Sequence, residues 1–230
     1  MNEHEAAERE AEVESRWEAA PAVLCVIALQ GALAVASEQG RWKIWWWTWS
    51  FWLVLILPEV LLFLALSWSA PRQRLEQMGH RRTVSLTLFG VVSAGNGIAL
   101  VALLGSLLRG NETSGSQLLF KGVTLWSTNV IAFGLWYWAI DRGGPLRRRE
   151  PAPPPPDFQF PQMENPGLAA PGWHPRLFDY VYVSFTNAIA FSPTDAMPLT
   201  RIAKALMLVE AGSSAITVLL VAARAVNILH

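Results

Sequence analysis

Polar positions along this chain fall in clumps between long apolar runs, and the runs define the elements. Residues 21–37, 51–68, 83–108, 118–140, 177–191 and 201–229 each read as a membrane segment. Crossing a hydrocarbon core of about 30 Å takes about 20 mostly apolar residues of helix. The first run has 17 residues, the lower limit, with Pro21 in a first turn where a missing N–H costs little. The fifth has about 15, roughly 23 Å of helix at 1.5 Å per residue, and falls short. The pattern predicts an all-α fold, a polytopic transmembrane helix bundle of about six membrane segments. Four regions follow: an acidic N-terminal helix over 1–20, a four-helix transmembrane region over 21–140, an Arg/Pro-rich linker over 141–176 and a helical hairpin over 177–230.

Composition agrees. Of the 230 residues 52% are hydrophobic and 16% charged, against about a quarter charged in a soluble domain. Formal net charge is zero, so no basic excess points to nucleic acid. The single cysteine, Cys25, excludes an intramolecular disulfide and a cysteine-based zinc site. His4, His80, His174 and His230 lie apart on tails and loops, so no metal or cofactor is expected. Residues 1–20 carry seven Glu against Arg9 and Arg16. They lack the basic start and short apolar core of a secretory signal, so no cleavage is expected.

Polar residues inside the runs are the candidates for chemistry. Glu59 follows Pro58 near the middle of the second run. A charge at that depth costs about 2.5 to 3.5 kcal/mol on insertion scales, so Glu59 should face the bundle, be protonated or be paired. Both proton or cation handling and a buried structural hydrogen bond fit it. The third run is dotted with Gly90, Gly95, Gly97 and Gly105, which predicts a central packing helix because small residues let backbones approach. Asn96 between two of them suits a helix-to-helix hydrogen bond better than a ligand.

Six of the 12 tryptophans fall in residues 42–52, and Trp136, Tyr137 and Trp138 end the fourth run. Both groups read as interfacial anchors, with a cation held on tryptophan faces as the alternative for the first. Arg147 to Arg149 make the linker basic, and Pro153 to Pro156 predict an extended, semi-rigid polyproline stretch in it.

Residues 179–204 carry the strongest functional signal. An aromatic apolar helix runs into the polar turn Ser192-Pro193-Thr194-Asp195, then through Pro198 and Thr200, a suitable N-cap, into the last helix. Backbone that leaves the helical ladder in lipid must be buried in protein or face water. Asp195, Thr194 and Ser192, with Asn187 and Thr186 on the adjoining helix, therefore make a candidate polar vestibule for a cation; capping and turning is the plainer role. Asp179 and Glu210 add negative charge nearby, and Arg201 and Lys204 positive.

The same stretch resembles the pore module of bacterial two-transmembrane-type potassium channels. Asp179, Tyr182, Ser184, Phe185, Thr186, Asp195, Pro198, Thr200, Ala203 and Lys204 fall on that pattern without a gap, and the likeness continues through Leu208, Glu210, Ala211 and Arg224. It implies a fifth segment like a pore helix and a homo-oligomer, since one such module cannot surround a pore. Where the family has Thr-Val-Gly-Tyr-Gly, this chain has Ala190, Phe191, Ser192, Pro193 and Thr194. The glycines that let a filter turn its carbonyls inward are gone, a degenerate selectivity filter. The chain also resembles a group of actinobacterial membrane proteins similar in the C-terminal half, a likeness that implies a bacterial plasma membrane and no particular activity.

With six crossings and a cytoplasmic N-terminus, 12 of the 18 Lys and Arg lie inside and six outside, as the positive-inside rule favours. Both termini are then cytoplasmic. A re-entrant fifth segment with the C-terminus inside would place five inside and 13 outside, against the rule. Two functions follow: permeation of an ion or small solute without potassium selectivity, or a non-conducting scaffold or partner-binding subunit using the acidic N-terminus or the Pro-rich linker. An enzyme is not expected, since no span holds a histidine and the serines have no evident base.

Overall fold

Lipid offers no hydrogen bonds, so an apolar run satisfies its backbone internally as helix. The computed structural model describes residues 19–36, 50–67, 81–109, 114–145, 147–192 and 195–229. These are mostly helical: α1 (Ala19–Ala36), α2 (Ser50–Ser67), α3 (Arg81–Leu108), α4 (Gly115–Ile140), α5 (Leu177–Ala190) and α6 (Arg201–Leu229). The acidic stretch 1–18, the tryptophans of residues 42–49, the basic loop 72–80 and Thr194 lie outside the described residues.

Four helices are long and apolar enough to cross a membrane, over Ala19–Ala36, Arg82–Leu108, Gly115–Gly143 and Arg201–Arg224. The chain is thus a multi-pass membrane protein by length and composition. α2, with Pro58 inside it, is a shorter apolar helix over Ile56–Ser67, and α5 has 14 residues.

The burial pattern is inside-out. Along α6 the buried residues are Ala203, Met207, Glu210, Ser214, Thr217 and Val221, a stripe at alternating steps of four and three. Half of that stripe is polar, while Ile202, Leu208, Val209 and Leu219 are exposed. A lipid-facing surface explains exposed leucines, and polar side chains in lipid turn toward protein partners.

That rule also decides which helix is the more buried. The glycine-dotted α3 is 28% buried along its apolar span and α4 67%, so α4 rather than α3 is the more enclosed helix. Glycine permits close approach without attracting a neighbour, whereas Thr124, Thr128 and Asn129 of α4 need interior partners and are buried. Gly97 of α3 has nothing within 4 Å of where a Cβ would stand.

The chain divides into two compact units. One comprises Val23–Ala132 and Ser213–His230. Its apolar core is Leu33, Ala99, Leu103, Leu118, Leu125 and Val221. Asn96 donates to Asn129 Oδ1 at 3.4 Å, the helix-to-helix bond expected of it. The Asn129 amide donates in turn to Ser213 (2.9 Å) and Ser214 (3.0 Å).

The other unit comprises Met1–Ala22 and Phe133–Gly212. After α4 a 3-10 turn, Asp141–Gly143, reverses the chain, with Gly143 at φ 76° and Gly144 at φ 106°, a region open to glycine. The stretch expected to be a linker then returns to the interior. Phe158 and Phe160 are buried, with Phe158 5.0 Å from the ring of Tyr137 and Phe160 5.3 Å from that of Tyr180. Two short strands, β1 (Phe158–Gln159) and β2 (Met197–Pro198), pair antiparallel, Phe158 opposite Pro198. Tyr137, expected at the membrane interface, is fully buried in this aromatic core.

Candidate functional site

A proline and an acid set the start of α5. Pro175 precedes the helix, and Arg176 N–H donates to Asp179 Oδ2 at 2.7 Å, so Asp179 satisfies a backbone donor there. Leu177, Tyr180, Val183, Ser184, Asn187 and Ala188 form the buried stripe of α5, and Phe178, Tyr182, Phe185 and Ile189 its exposed apolar face. Phe191 closes the helix in the left-handed region, φ 54° and ψ 26°.

The polar members of the stripe converge on Glu210 of α6, which is fully buried. Ser184 Oγ donates to Glu210 Oε1 and Tyr137 Oη of α4 to Oε2. The Asn187 amide donates to Oε2 at 2.6 Å and to the Met207 carbonyl at 3.0 Å. Three donors from two helices, α4 and α5, thus meet one carboxylate on α6, whose oxygens accept only. Both oxygens are engaged, so the cluster locks α4, α5 and α6 together without a bare ligand atom.

A second cluster lies around Asp141. Its Oδ1 accepts from Asp157 N–H (2.7 Å) and Phe158 N–H (3.2 Å), and its Oδ2 from Tyr180 Oη (2.6 Å). Arg148 donates to Tyr180 Oη at 2.6 Å and to the Pro175 carbonyl at 3.1 Å. Asp157 in turn accepts the Thr200 hydroxyl at 2.6 Å. Thr200 also caps α6 as expected, accepting Ala203 N–H at 3.3 Å.

Of the residues predicted for a polar vestibule, Thr194 lies outside the described residues and the other four fall in different settings. Asn187 belongs to the Glu210 cluster. Thr186 is half-buried and returns its hydroxyl to the Val183 carbonyl at 3.0 Å. Ser192 and Asp195 are exposed at the tip between α5 and α6. Glu59 sits in the other unit, fully buried and accepting from Gln30 Nε2 at 3.1 Å. Among the described residues no group of three or more His, Cys, Asp or Glu comes together to hold a metal ion.

Sequence reasoning missed Tyr137, Asp141 and Gln30, and gave Glu210 only a background charge. The signal for Glu210 was present, since an acid inside an apolar run needs partners; which partners was not, because Tyr137 lies 73 residues away. The chain matches no protein-family model, no curated protein and no solved structure.

Proposed function

We propose that this is a membrane protein of channel-like ancestry that passes an ion or small solute without potassium selectivity. It works as a homo-oligomer in a bacterial plasma membrane, with six membrane segments and both termini cytoplasmic. The carrying observation is the α5–α6 hairpin: its stem is locked by Glu210, while its tip, Phe191, Ser192 and Asp195, is exposed. A pore module needs a rigid short helix and a tip free to meet its copies around an axis. With 14 residues, about 21 Å of helix, α5 has the length of such an element. Phe191 stands where the family has valine, and without filter glycines the tip offers Asp195 rather than a ring of carbonyls.

The test is flux in liposomes holding the purified chain. Cation or solute release is expected, with no preference for potassium over sodium, and Asp195→Asn lowers it at least several-fold. Sealed liposomes would remove the permeation reading. Orientation is tested on a Cys25→Ala background with Glu164→Cys, an exposed position, which should label only from the cytoplasmic side.

The full engagement of both Glu210 oxygens favours a second reading, a non-conducting scaffold or partner-binding subunit. It predicts that removing residues 1–18, or replacing Pro153 to Pro156 by Ser, abolishes capture of a cytoplasmic partner while the protein still inserts. Deleting all of 150–172 would not test this, because it removes the buried Phe158 and Phe160.

A further inference from the structure

The buried groups differ in how completely they are satisfied. Around Glu210 both carboxylate oxygens have donors. Between α1 and α2 the situation is different. Glu59 is fully buried and Gln30 is 5% exposed, and Gln30 Nε2 donates to Glu59 Oε1 at 3.1 Å. Among the described residues, Gln30 Oε1 and Glu59 Oε2 are both buried without a hydrogen-bond partner. Each is an acceptor, so an amide and a carboxylate leave two lone-pair atoms stranded on the same two groups that already share a bond. Stranded acceptors in an apolar setting are costly, and a charge on one of them more so.

One proton resolves both. Protonated at Oε2, the Glu59 carboxyl becomes a donor as well as an acceptor, and the Gln30 carbonyl is the acceptor it lacks. An amide and a carboxylic acid can then share two hydrogen bonds, Nε2–H to Oε1 and Oε2–H to the amide oxygen. A divalent metal does not fit, because calcium takes six to eight oxygens and this pair offers two bare ones. We infer that Gln30 and Glu59 form a proton-binding site buried between α1 and α2.

The surroundings leave Glu59 alone in this role. It is the only acid in α1, α2 or α3. The other titratable groups of those helices are Cys25, which is exposed, and Arg81 and Arg82 in the first turn of α3. α2 packs against α3, whose residues 83–108 carry no ionisable side chain. The site is independent of the permeation reading, which rests on residues 179–204.

The test is infrared spectroscopy of the full-length protein in lipid. A carboxylic-acid carbonyl band that is present in the native protein, is lost in Glu59→Gln and fades as pH is raised is the expected result. In Gln30→Leu that band should shift to higher frequency, because the acid loses its amide partner. This shift can be read even if Glu59→Gln fails to fold. A Glu59 carboxyl that shows no acid band at any pH, or a band unmoved by Gln30→Leu, overturns the proposal. Loss of liposome flux would leave it standing, and loss of the band would leave the permeation reading standing.

Discussion

Gly134 of α4 lies against the backbone of Val181 in α5: a Cβ on Gly134 would stand 2.9 Å from Val181 Cα and 3.2 Å from its N. Backbone cannot swing aside as a side chain can. The approach brings Tyr137, one turn on, within reach of the donors on α5.

Gly134→Ala should therefore destabilise the protein by about 1–3 kcal/mol, the usual cost of overpacking. Gly97→Ala, where nothing lies within 4 Å, should be neutral or stabilising by up to about 1 kcal/mol through helix propensity. Heat midpoints in the same detergent compare the two.

Glu210→Leu should cost about 1–3 kcal/mol for each donor it strands, on Tyr137, Ser184 and Asn187. Tyr137→Phe alone should cost about 1–3 kcal/mol, the range for leaving a buried hydrogen-bonding partner unsatisfied. Combined with Ser184→Ala the losses should fail to add by about 0.5 kcal/mol or more, because both act through one carboxylate. A double-mutant cycle on unfolding midpoints measures this.

How much of this arrangement was legible in the sequence depends on where each partner lies. The runs give the helices, and Thr200 before Arg201 gives the cap, because those signals are local. Asn96 gives its hydrogen bond because an amide between glycines in an apolar helix has few other uses. In lipid both faces of a helix are apolar, so the run does not say which way it turns; only the few polar residues do. That is why α3 looked central while α4 is the more buried of the two. Phe158 and Phe160 among prolines carry no periodicity, so their burial under Tyr137 and Tyr180 shows only in three dimensions.

Asp141→Ala should loosen residues 157–160, since it removes the acceptor of two backbone N–H groups and of the Tyr180 hydroxyl. A loss of about 1–3 kcal/mol per stranded buried donor is expected. Limited proteolysis should cut faster within 150–157 in the variant than in the native protein.

Phe191→Gly should stabilise by about 1–2 kcal/mol, the cost of holding an L-residue in the left-handed region, provided its half-exposed ring contributes little in detergent. A higher heat midpoint than native is the expected reading. Phe191→Ala, which keeps the strain, should show no such gain.

The β1–β2 clasp has a consequence for biosynthesis. Phe158 waits for Pro198, and Asp157 for Thr200, some forty residues downstream. At about 5–20 residues per second of translation, the nascent chain holds that unfinished edge for roughly 2–8 seconds. During this interval a chaperone or a neighbouring copy can occupy the vacancy, so assembly of this protein is timed by the ribosome as well as by the membrane.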